Sequence, residues 1–105
     1  MTTSGPPSPS AYEQLRAAAN AFEHLALNAP KEDVELGFDQ MRALLLKVMM
    51  DAPDSYPYEL SWNTLTRFGD AKLDALMAIE EGSPAYEDTM VHLKHLVASA
   101  MDLLP

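Results

Sequence analysis

Apolar residues recur along this chain at alternating steps of three and four, the spacing that sets side chains along one stripe of an α-helix. Tyr12, Leu15, Ala19, Phe22 and Ala26 make the first stripe. Ser10 stands just before it and Glu13 three residues further on, the form of a capping box in which each side chain satisfies a backbone N–H of the other. The pattern predicts a helix that begins at Ala11 and is ended by Asn28 and Pro30.

A second helix is predicted from Lys31, with Pro30 suited to its first turn. Glu32, Asp33 and Glu35 lie where the positive end of a helix dipole favours acids. Its main stripe is Val34, Phe38, Met41, Leu45 and Val48, widened by Leu44 and Met49. At about 100° per residue, Leu36, Ala43, Leu46 and Met50 fall on the opposite side. The run Ala-Leu-Leu-Leu-Lys-Val-Met-Met is thus too apolar for a helix that buries only one face. Proline disfavours a helical residue before it, so the helix stops by Ala52, ahead of Pro53.

The segment from Asp51 to Pro57 is the strongest internal breaker and predicts the longest loop. Tyr58, Trp62, Leu65 and Phe68 then form a short helical pattern. Gly69-Asp70 reads as a stop and a new N-cap before a segment from Ala71 to Glu81 that buries Leu73, Leu76, Met77 and Ile79. One long helix kinked at Gly69 is the alternative. Gly82, Ser83 and Pro84 suit a left-handed turn residue, an N-cap and a first helical turn. The last stripe is the longest: Tyr86, Met90, Leu93, Val97, Ala100 and Leu104, flanked by Leu96, Leu103 and Met101.

No stretch alternates with period two, so no sheet is expected. The predicted architecture is all-α: one domain over residues 10–105, a mostly antiparallel bundle of four or five helices, preceded by a flexible, disordered Ser/Pro-rich tail over residues 1–9. Composition agrees with a single folded domain, since 48% of the 105 residues are apolar and 22% charged. The absence of cysteine excludes disulfides and thiolate chemistry, so packing must supply stability. No basic start or long apolar run marks a secretory signal or membrane span, which makes a cytoplasmic location the expectation. Sixteen acids against seven basic residues give a net charge of -9, which disfavours direct binding to nucleic acid or an anionic membrane and favours a partner with a basic surface.

Candidate chemistry is sparse. Asp88, His92 and His95 share one helix face and could supply metal ligands, with a fourth from His24 or Glu23 of the first helix, although helical ligand sets of this kind seldom close a site alone. Adjacent carboxylates such as Glu32-Asp33, Glu80-Glu81 and Glu87-Asp88 point about 100° apart on a helix and make poor acid–base dyads. The serines lack a nucleophile context and suit caps and turns. No catalytic residue and no cofactor is therefore expected.

The sharper pointer is the second stripe of the second helix. Leu36, Ala43, Leu46 and Met50, edged by Glu35, Asp39, Gln40 and Lys47, suit packing against a partner's helix or pairing with a second copy of the chain, unless the second helix is central to the bundle and meets neighbours on both sides. Seven methionines fit an adaptable surface as well as an irregular core. Tyr56 and Tyr58 in the loop are expected to be exposed contact residues, whereas Trp62 is assigned to the core. The function expected is a small non-enzymatic interaction module of the inhibitor, immunity, anti-factor or adaptor type. An acidic mimic of nucleic acid and a metal-binding helical protein are the alternatives.

Overall fold

The computed structural model describes residues 10–105, and the tail expected over residues 1–9 lies outside the described residues. Helix α1 (Ala11–Glu23) begins at the capping box: Ser10 Oγ accepts from the Glu13 N–H at 3.1 Å while Glu13 Oε1 accepts from the Ser10 N–H at 3.0 Å. Leu15, Ala19 and Phe22 are buried. The helix ends well before Asn28, and Ala26 is exposed beyond it. A distant residue explains the early stop. Lys94 donates through its amine to the carbonyls of Glu23 and Leu25, satisfying acceptors that a longer helix would have used internally.

Helix α2 (Lys31–Asp51) buries Val34, Phe38, Met41, Leu45 and Val48, the stripe that its periodicity predicts. Pro30 caps it from outside, rather than opening its first turn, and accepts from the N–H groups of Asp33 and Val34. Ala52 is extended, as the proline after it requires. The loop is shorter than expected, because Asp51 is still helical and Tyr56–Tyr58 form a 3-10 turn.

Three consecutive pieces then run without a break: α3 (Glu59–Asn63), a π-helical segment (Thr64–Gly69) and α4 (Asp70–Met77). The expected stop at Gly69-Asp70 is absent, since Gly69 has an ordinary helical φ of -64°. The buried positions Ser61, Leu65, Gly69 and Leu73 recur every four residues. In an α-helix each such step drifts about 40° around the axis, and one widened turn returns the stripe to the core. Gly69 serves close approach: a Cβ there would lie 2.5 Å from Phe38 Cζ. The same widening turns Phe68 outward, contrary to its expected place on the inner face, and leaves it 62% exposed. Met77 ends α4 short of Glu81, its carbonyl taken at 2.8 Å by the amine of Lys31.

Gly82 adopts the left-handed conformation at φ 79°, in the turn before α5 (Pro84–Asp102) rather than directly at the end of α4. Ser83 Oγ caps α5 by accepting from the Tyr86 N–H at 3.1 Å. All six residues of its predicted stripe are buried, as is Met101, while Leu96 is half-buried and Leu103 exposed. Tyr86 donates its hydroxyl to the Ala29 carbonyl at 2.5 Å, which fixes the α1–α2 connection on the core.

α1 packs on α2 and α5, and α5 closes the bundle against the π segment and α4. Cross-links at Lys31–Met77 and Arg42–Asp70 set α2 antiparallel to α4, and Tyr12–Pro105 and Lys94–Glu23 set α1 antiparallel to α5. Phe22 and Phe38 meet edge to face, with ring centres 6.2 Å apart. Among the described residues there is no strand, and no helix is long and apolar enough to cross a membrane.

Candidate functional site

The core takes one side of α2 and leaves the other to solvent. Leu36 is 68% exposed, Leu46 44% and Met50 76%, and Ala43 is exposed between them. These four share a face because they repeat at intervals of seven and three to four residues, opposite the buried stripe. Among the described residues no other element of the bundle covers them. Asp39 stands on the same face, where its carboxylate pairs with Arg42. Arg42 also donates to Asp70 Oδ1 at 2.6 Å and stacks over the Phe38 ring at 5.3 Å, so a single guanidinium ties the rim of the strip to α4 and the core.

Beside the strip, α1 and α2 diverge into a shallow groove of about 630 Å³. Ala17, Ala18 and Ala21 of α1 and Ala43 and Leu44 of α2 form its floor, with Gln14, Gln40 and Lys47 along the edges. Small side chains at the floor leave both helix backbones open to close approach. Glu32, Asp33, Glu35 and Asp51 are exposed around this surface, and among the described residues none of them forms an ion pair.

Of the residues singled out from the sequence, Leu36, Asp39, Ala43, Leu46, Lys47 and Met50 are thus brought together. Tyr56 and Tyr58 are not part of that face. Tyr56 is 74% exposed and lines a separate hollow with Pro57, Leu60 and Asn63. Tyr58, expected outside, is half-buried against the core with Trp62 and stands beside Tyr12 and Val48, where the start of α1 meets the end of α2.

Asp88, His92 and His95 are all exposed, and among the described residues no three His, Asp or Glu side chains converge into a group that could hold a metal ion. The His24 ring pairs through Nδ1 with its own helix at Asn20 O, 2.7 Å away. The titrations that shift are structural. Hydrogen bonds from the Ser10 backbone and hydroxyl hold Glu13 below the usual carboxylate range. Burial, and then the charge of Glu81, raise Tyr86.

One surface is missed by helical periodicity. Phe68, Ala71 and Lys72 face His92 and Leu96 across a second groove of about 560 Å³ between α4 and α5. The signal that would find it is the step-of-four series ending in a glycine, Ser61, Leu65 and Gly69, which assigns Gly69 to the core and Phe68 to the surface. Comparison with protein-family models, with curated proteins and with solved structures gives no match to this chain.

Proposed function

We propose that this chain is a non-enzymatic protein-interaction module, of the inhibitor, immunity, anti-factor or adaptor kind, which binds a partner protein through the outer face of α2. The observation that carries the reading is the exposure of Leu36, Leu46 and Met50 together on one helix face whose opposite side is fully committed to the core. Covering a Leu or Met side chain is worth about 1.5–3 kcal/mol when burial is complete, so three such residues on one strip offer a sizeable gain to a complementary surface. Acids around the strip and the net charge of -9 favour a basic partner surface and speed its approach. The cysteine-free composition suits the reducing cytoplasm.

A mimic of nucleic acid would need carboxylates in an uninterrupted phosphate-like row. Arg42 interrupts that row by pairing with both Asp39 and Asp70, which favours docking through apolar contact with an acidic rim. The test is partner capture from the native cells with the wild-type chain and with Leu46→Asp/Met50→Asp as bait. We expect the double variant to melt near the wild-type temperature, since both residues are exposed, and to lose the specific partner. A folded double variant that retains the same partner at the same yield would remove the strip from the function.

A further inference from the structure

The face that α2 turns to solvent carries a seven-residue repeat. Leu36, Ala43 and Met50 are spaced by sevens, with Asp39 and Leu46 three residues after the first two. Across the groove, Gln14, Ala17 and Ala21 of α1 keep the same register, the spacing at which one α-helix lies along another. From Leu36 to Met50 the seam runs about 21 Å, four turns of helix. Alanines at the groove floor admit a helix backbone more closely than larger residues would.

We infer that the occupant of this groove is a single amphipathic helix of a partner protein, with an apolar seven-residue repeat and Lys or Arg on its flanks; this rests on the docking reading above and specifies its partner. Charge argues for the basic flanks: Glu32, Asp33, Glu35 and Asp51 surround the seam, and among the described residues Lys47 is the one cation lining its groove. Charge also argues against a second copy as occupant. An antiparallel two-fold about Ala43 would set Asp51 of each copy level with Glu35 of the other and Lys47 level with Asp39, and a parallel two-fold would set Glu32 against Glu32 and Asp39 against Asp39. Like charges so placed oppose the parallel pairing, and in the antiparallel one the Asp51–Glu35 contacts offset the Lys47–Asp39 contacts, whereas a basic-flanked helix meets the acids without such repulsion.

The test is selection from a fully randomised library of peptides about 18 residues long, about 27 Å as a helix, against the full chain. The enriched peptides are then titrated against wild type, Ala43→Arg and Ala17→Arg. Both alanines are exposed, so the variants keep the core, and circular dichroism melts verify this. The expected result is enrichment of seven-residue apolar repeats with basic flanks, a gain of helicity on binding, and a loss of at least about tenfold in affinity on either arginine variant. Enrichment of proline-rich, period-two or acid-flanked peptides would overturn the inference, as would no enrichment or undiminished binding to Ala43→Arg. A wild-type dimer in sedimentation that Ala43→Arg dissociates would overturn it in favour of a second copy. If partner capture depends on Leu46 and Met50 while selection yields no helical binder, the docking strip stands and the helix falls; if capture is indifferent to those residues, the docking reading itself fails.

Discussion

At Gly69 two effects of opposite sign compete. Alanine in place of glycine raises helix propensity by about 1 kcal/mol. It would also drive a methyl to 2.5 Å from Phe38 Cζ and 3.1 Å from Cε1, inside a packed core where overfilling costs about 1–3 kcal/mol. The clash wins, so Gly69→Ala lowers the urea midpoint, and adding Phe38→Leu recovers part of the loss. Gly37→Ala meets Phe22 Cδ2 at 3.2 Å, a contact that a few tenths of an ångström relieve, and should stay within about 1 kcal/mol of wild type. Tyr86 bears on pH. Its hydroxyl is raised above the ordinary tyrosine value of about 10, so at higher pH the unfolded chain gives up a proton that the folded chain keeps. Stability from this group is therefore intact below about pH 10 and declines as pH rises beyond it. Tyr86→Phe should cost about 1–2 kcal/mol at neutral pH, by leaving the Ala29 carbonyl unpaired, and its denaturation midpoint should fall less steeply than that of wild type in alkaline buffer.

Among the elements, α2 gives the sharpest contrast between neighbours. Leu45→Ala removes a fully buried side chain and should cost about 2–5 kcal/mol, whereas Leu46→Ala next to it should change stability by less than about 1 kcal/mol in chemical denaturation. Equal losses would mean that the two stripes are not separate. Those stripes were legible in the sequence because α2 and α5 are long and regular, and so were the serine caps at Ser10 and Ser83, whose chemistry is local. The ends of α1 and α4 were not legible, since they depend on Lys94 and Lys31 arriving from other helices. Gly69 misled for a related reason: glycine commonly marks a helix end, and only the ring of Phe38 across the core shows why it sits inside a continuous one. For the candidate site, periodicity could place Leu36, Ala43, Leu46 and Met50 on a second face. It could not show that the fold leaves that face uncovered, because which helix packs where is a long-range property.

For the molecule as a whole, the scarce cations act mainly as internal ties. Arg16 donates to the Tyr12 hydroxyl at 2.9 Å, Arg42 joins α2 to α4, and the amines of Lys31 and Lys94 hold backbone carbonyls at helix ends. The outward charge is correspondingly negative, which favours fast, salt-sensitive association with a basic partner. Of the four lysines, only Lys47 and Lys72 bond no carbonyl among the described residues, and they line the two grooves, one each. The fold thus carries its own footprinting labels. A limiting dose of an amine-acylating reagent, read by peptide mass spectrometry, should modify Lys47 and Lys72 well before Lys31 and Lys94. A partner seated between α1 and α2 should shield Lys47 while Lys72 continues to react, so one lysine reports occupancy and the other calibrates the dose.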